Sequence, residues 1–197
     1  MMLKRDIYLS IAAAEVISIF LLPTLINTNS FKKIPLAPLT LFVLYPLVVF
    51  FGMYIASILA KRLGFLWQLA KFALVGVLNT SIDFGVYNFL IATTLATKGP
   101  GIILINATSF SLALINSFFW NRDWVFGESK KNKFSTFAVV TLIGLLINTG
   151  AVFAITTYVN PVLVDTPEVW ANIAKLLATG MSLVWNFLGY KLIVFRR

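Results

Sequence analysis

Residues 71–90 read KFALVGVLNTSIDFGVYNFL, and between Phe72 and Leu90 the single charged side chain is Asp83. A helix rises 1.5 Å per residue and needs about 20 mostly apolar residues to cross a bilayer, whereas a barrel strand needs about 10 with alternating polarity. The stretch is helix-length and does not alternate, so it reads as a membrane-spanning helix. The same criterion, carried outward, finds further spans at Ile7 to Ile26, Leu39 to Ala60, Ile102 to Trp120, Phe134 to Val159 and Trp170 to Ile193, with Phe72 to Thr94 as the third of six. The fold class is therefore all-α, a polytopic membrane helix bundle.

Composition agrees. The chain has 197 residues, 59% hydrophobic and 12% charged, against about 25% charged in a soluble domain. Cysteine and histidine are absent, which excludes disulfides, thiolate nucleophiles, imidazole bases and the usual zinc sites. No Gly-x-x-x-x-Gly-Lys loop and no Asp-x-Asp pair is present, so an enzyme reading lacks its parts, and no metal or other cofactor is expected. The formal charge of +9 could suggest nucleic acid, but the basic residues cluster at the ends of apolar runs. Anionic membrane lipids are the expected counterpart, with no nucleic acid.

The distribution of charge sets an orientation. With the N-terminus inside, Lys4, Arg5, Lys61, Arg62, Lys71, Arg122, Lys130, Lys131, Lys133, Lys191, Arg196 and Arg197 fall on the inner side, while Lys32, Lys33 and Lys98 fall outside. That asymmetry predicts both termini in the cytoplasm of a multi-pass cytoplasmic-membrane protein. The first run is about as long as a full span and reads as an uncleaved helix rather than a signal peptide. Trp67, Trp120, Trp124 and Phe126 mark the inner boundary, and Pro23 and Pro46 should bend or shorten their helices. The connector KRLGFLWQLAK, 61–71, is expected to lie along the membrane surface. It would separate an accessory hairpin (1–67) from a four-helix unit (68–197).

Within that unit a shift of 69 residues aligns Asn79-Thr80 with Asn148-Thr149, Phe84 with Phe153, Phe118 with Phe187 and Val125-Phe126 with Val194-Phe195. Two hairpins of the same orientation, related by an axis along the membrane normal, would give that pattern.

Polar residues in hydrocarbon are costly, a charge near the centre on the order of 2.5–3.5 kcal/mol. Asp83 lies roughly 16 Å into its span by helical rise, and Gly76, Asn79, Asp83 and Tyr87 share a face. Asn106, Ser109, Ala113, Asn116 and Trp120 form a second stripe; Lys175, Thr179, Ser182, Asn186 and Gly189 form a third. Converging stripes would make a crevice for sugar hydroxyls, and scattered ones would serve as packing contacts. Lys175 lies about five residues inside its span, where snorkelling to the surface is expected and neutralisation of Asp83 or Glu15 is the alternative. Arg122 offers a planar fork suited to phosphate at the inner boundary, with Asn121 as a helper, against the plainer reading of a basic anchor. Lys191 is its counterpart under the 69-residue shift.

At NSFFWNRDWVF, 116–126, together with the KFALVGVLNTSIDFGVYNFL stretch, Lys133-Phe134 and WNFLGYKLIVF at 185–195, the chain resembles the GtrA-like family of small membrane proteins. The resemblance runs over residues 68–197. It implies a carrier, flippase-like, that moves polyprenyl-phosphate-linked sugar across the cytoplasmic membrane for cell-surface polysaccharide synthesis, beside a polyprenyl-phosphate glycosyltransferase. The substrate-binding candidates are then Asn79, Asp83, Asn116, Asn121, Arg122, Lys175, Asn186 and Lys191. A non-transporting scaffold for that transferase, or a small multidrug-type exporter, are the alternatives. Four spans make a thin wall around a sugar path, so a homodimer is one expected enclosure and the N-terminal hairpin the other.

Overall fold

The structure, a computed structural model, describes residues 2–63, 65–126, 134–161, 164 and 166–189. Among them all regular structure is helical: α1 (Lys4–Asn27), α2 (Ala37–Leu59), α3 (Phe65–Thr94), α4 (Pro100–Trp120), α5 (Phe134–Tyr158) and α6 (Pro167–Gly189). Five of these, α1 to α5, are long and apolar enough to cross a membrane. Helix α6 falls below that mark because Glu168, Asn172 and Lys175 crowd its first turns; the last four residues of its expected span, 190–193, lie outside the described residues. So do Lys130, Lys131, Lys133, Asp165, Lys191, Arg196 and Arg197.

The packing is that of a membrane protein. Large apolar side chains such as Val48, Phe51, Leu104, Leu146, Leu176 and Val184 face outward, while Asp83, Asn88, Asn106, Ser109, Asn148, Asn172 and Lys175 are buried. In water this would be inside out; in lipid it is the arrangement that hides polar groups from hydrocarbon.

Local chemistry sets the helix ends. Asp6, at the third helical position of α1, accepts from the Leu3 amide at 3.1 Å, capping an otherwise orphaned N–H. The chain leaves α1 through Asn29, whose φ of 55° is left-handed, with the Ser30 amide returning to the Leu25 carbonyl at 2.8 Å. Pro23 does not end the helix, which runs on to Asn27. Pro46 does disturb its own: the turn before it, Thr40–Leu44, is π-helical, as the missing N–H and the ring bulk of proline require. That turn leaves the Leu41 carbonyl to accept from the Ser18 hydroxyl of α1. The connector 61–71 departs from expectation. Lys61–Leu63 form a turn and Phe65–Lys71 are the first turns of α3, continuous with the span, because no residue there breaks the helical hydrogen-bond ladder.

The chain forms two compact units. The first comprises Met1–Val86 and Leu112–Glu128, so that α3 and α4 each contribute one end to it. Its core joins Ala13 and Ile17 of α1, Met53 of α2, Leu74, Val75, Leu78 and Ile82 of α3, and Ala113, Trp124 and Val125. Helix α1 runs parallel to α3: Asp6 meets Lys71 at one end, and Phe20 meets Gly85 at the other. A Cβ at Gly85 would stand 2.8 Å from the Phe20 Cβ, and nearer still to its carbonyl oxygen. Only glycine permits that approach. Helices α3 and α4 run antiparallel, with pairs Gln68–Val125, Lys71–Trp124 and Asn79–Asn116.

The second unit comprises Tyr87–Ser111 and Ser129–Arg197. Tyr87, Ile91, Ile102, Ile105, Val152, Ala171 and Ala178 form its core. Ala171, Ala174 and Ala178 are fully buried on α6, the close-packing face that small residues allow between membrane helices.

Candidate functional site

In the first unit, polar chemistry gathers where α1 begins, α3 begins and α4 passes into a π turn, Asn121–Phe126. The Asp6 carboxylate is buried and receives the Lys71 ammonium at 2.9 Å and the Trp124 indole N–H at 2.8 Å. Lys71 also lies 5.0 Å from the Trp67 ring centroid and 5.4 Å from that of Trp124, positions in which ring faces stabilise a cation. Arg122 points the other way. It is exposed, forks onto Asp123 at 2.6 and 2.9 Å, and sits 5.3 and 5.0 Å from the rings of Phe118 and Phe119.

Deeper in the same unit the Asn116 amide donates to Asn79 Oδ1 at 2.7 Å, and Asp83 is buried. Gly76, expected on their face, is exposed instead. The Asn121 amide donates back to the Ser117 carbonyl and hydroxyl at 2.8 and 3.1 Å, while its own buried Oδ1 has no hydrogen-bond donor among the described residues.

The second unit holds a longer string. Lys175 is wholly buried, and its ammonium donates to Asn106 Oδ1 at 2.8 Å and to the Ser109 hydroxyl at 3.2 Å, 4.4 Å from the Tyr87 ring centroid. Snorkelling, the expectation from depth alone, does not occur: acceptors on α4 are within reach, so the side chain turns inward rather than out. Asn106 continues the string by donating to Asn148 Oδ1 at 2.8 Å and Thr149 Oγ1 at 3.1 Å, and Asn148 donates to Ser182 Oγ at 3.4 Å. Asn88 and Asn172 bond each other reciprocally at 2.7 Å both ways, beside a bond from the Tyr87 hydroxyl to the Ala171 carbonyl at 3.2 Å. Asn106 and Lys175 stand 69 residues apart, the offset of the sequence repeat.

Of the sequence-derived candidates, the structure brings Asn79 and Asn116 together, buries Asp83 and Lys175, and leaves Arg122 exposed beside Asn121. Asn186 lies on α6, but its side chain, like all of Lys191, is outside the described residues. Sequence reading overlooked Asp6, Lys71, Asn88, Asn148 and Asn172 as site residues. For Asn88, Asn148 and Asn172 a signal existed, since each is a carboxamide inside a long apolar run.

The profile of the family described as GtrA/DPMS, transmembrane domain, matches residues 71–195. The chain belongs to that family. It is also 31% identical over 127 residues to the uncharacterized membrane protein YngA of Bacillus subtilis (strain 168), an alignment covering 64% of this chain and 78% of that protein. No solved structure matches it. Membership in the GtrA/DPMS family makes this a multi-pass membrane protein of lipid-linked sugar processes. The match begins at Lys71 and takes in the π turn and the Lys175 string, while Arg5 and Asp6 precede it.

Proposed function

We propose that the protein is a carrier that moves a polyprenyl-phosphate-linked sugar across the cytoplasmic membrane, both termini cytoplasmic, for cell-surface polysaccharide glycosylation. The observation that carries this reading is the buried string Lys175, Asn106, Asn148, Ser182. Carboxamides and hydroxyls both donate and accept, as sugar hydroxyls do, and intramembrane ionisable groups mark substrate paths far more often than their cost would allow by chance. Asn79, Asp83, Asn116 and Asn186 extend the sugar-binding surface. Arg122, with Asn121 and Lys191, takes the phosphate: the Arg122–Asp123 pair is exposed and screened by water, so a phosphate can displace Asp123 from the guanidinium at small cost. The prenyl tail stays in lipid. A polyprenyl-phosphate glycosyltransferase supplies the cargo, and a second copy of the chain completes the enclosure.

A second reading, a scaffold that orients that transferase without moving cargo, is favoured by the Asn88–Asn172 pair. Its reciprocal bonds tie α3 to α6, as a rigid bundle needs. The deciding experiment places the purified protein in liposomes with a labelled polyprenyl-phosphate sugar and measures its access to a reagent confined to one side. The carrier reading expects exposure well above that of empty liposomes, reduced to background by Lys175→Met in a protein that still folds. Background exposure with the parent protein, shown to be folded, would leave the scaffold.

A further inference from the structure

The π turn Asn121–Phe126 separates two side chains two residues apart: Trp124 is buried against Asp6, and Arg122 is exposed over Phe118 and Phe119. A π turn interrupts the regular i→i−4 ladder and leaves its carbonyls poorly served. Here three successive carbonyls accept from side chains of other helices. Asp123 O takes the Arg5 guanidinium at 2.9 Å, Trp124 O the Lys71 ammonium at 3.5 Å, and Val125 O the Gln68 amide at 3.4 Å. With the Trp124 indole held by Asp6 at 2.8 Å, the turn is gripped on its backbone and on a buried side chain. Two of the residues involved, Arg5 and Asp6, belong to α1, which lies before the family's matched region.

We propose that Arg5 and Asp6 are positioning residues for Arg122: the N-terminal helix clamps the π turn, and the clamp fixes the direction in which the guanidinium meets phosphate. The phosphate part rests on the carrier reading above. Asp6 acts twice, as counter-charge to Lys71 and as acceptor for Trp124. Arg5 reaches past Asp6 to the backbone of the residue that Arg122 itself pairs with. A guanidinium whose backbone is held still captures a planar pair of phosphate oxygens with less ordering to do, and binding gains by preorganisation.

The test uses the full chain in detergent. Because the sequence has no cysteine, Arg122→Cys offers a single attachment point for a spin label that reports the order of the turn without any ligand. The clamp predicts an immobilised label in R122C and a mobile one when Arg5→Gln and Asp6→Ala are added, with Asp6→Glu restoring immobility. In parallel, equilibrium binding of farnesyl monophosphate should weaken at least tenfold from the parent to the R5Q/D6A protein. Equal label mobility with and without the α1 pair overturns the proposal; so does a mobile label accompanied by unchanged farnesyl monophosphate binding. If the parent fails to bind the phosphate while the label still becomes mobile in R5Q/D6A, the clamp is supported and the phosphate reading falls. Should the double substitution prevent folding, Arg5→Gln and Asp6→Asn singly face the same two measurements, and a label as still as the parent's in both would overturn the clamp.

Discussion

Lys71 and Lys175 are both lysines drawn into a membrane bundle, and they are accommodated by different means. Lys71 stands at the beginning of α3, keeps 13% of its side chain accessible, and meets a carboxylate between two indole rings. Lys175 has no accessible surface and donates to a carboxamide and a hydroxyl beneath a phenol ring. A close ion pair with aromatic walls fixes a shape. Donation to amides and hydroxyls builds a surface whose partners a ligand's hydroxyls can imitate, so under the proposed carrier function the first region is the frame and the second the working interior.

That contrast can be broken most forcefully at the frame. Asp6→Ala leaves Lys71 and the Trp124 N–H without their acceptor, and breaking a buried pair costs about 3–5 kcal/mol; the midpoint of denaturant-induced unfolding in micelles should fall accordingly. A loss under about 1 kcal/mol would place the pair with surface salt bridges and remove the frame. Next comes Gly85→Ala, which pushes a methyl into Phe20 and should cost about 1–3 kcal/mol by overpacking. Phe20→Ala should recover little of that loss, because the carbonyl and the Cβ that the methyl meets remain in alanine; a full recovery in the same assay would place the clash at the ring.

In the interior the expected stability effects are smaller. Asn88→Ala and Asn172→Ala should each cost about 0.6–1.7 kcal/mol, and the double variant should cost hardly more than either alone, since both remove one reciprocal contact. Additive losses would show that each amide works with other partners. The smallest effect belongs to Asp123→Asn: the unfolding midpoint should stay at that of the parent, as for a solvent-screened pair, while removing the carboxylate beside Arg122 should tighten farnesyl monophosphate binding a few-fold. Tightening that persists in Asp123→Asn/Arg122→Gln would assign the phosphate to another group.

Apolar run length, which hydrocarbon thickness dictates, made most of the fold legible before any coordinates. The third span ends at Thr94 as read, and the stripes of α3, α4 and α6 do turn inward at Asp83, Asn106 and Lys175. Depth alone misplaced Lys175, because a side chain's direction depends on which acceptors the neighbouring helix offers. The connector 61–71 looked interfacial from its basic and aromatic content, yet nothing in Phe65–Lys71 stops a helix that is already forming. The Asp6–Trp124 bond joins residues 118 apart, and no local period announces such a meeting. Asn88 and Asn172 were visible as amides in apolar runs, but only packing tells which amide faces which.

The parallel course of α1 and α3 also bears on biosynthesis. Asp6 leaves the ribosome first, its cationic partner follows 65 residues later, and its indole partner 118 residues later. At about 5–20 residues per second, the second interval lasts roughly 6–24 s. Throughout it the nascent N-terminal helix holds a carboxylate whose full set of donors does not yet exist. Only when the fourth helix has been translated can α1 settle, so a segment made before both its partners is among the last to be locked.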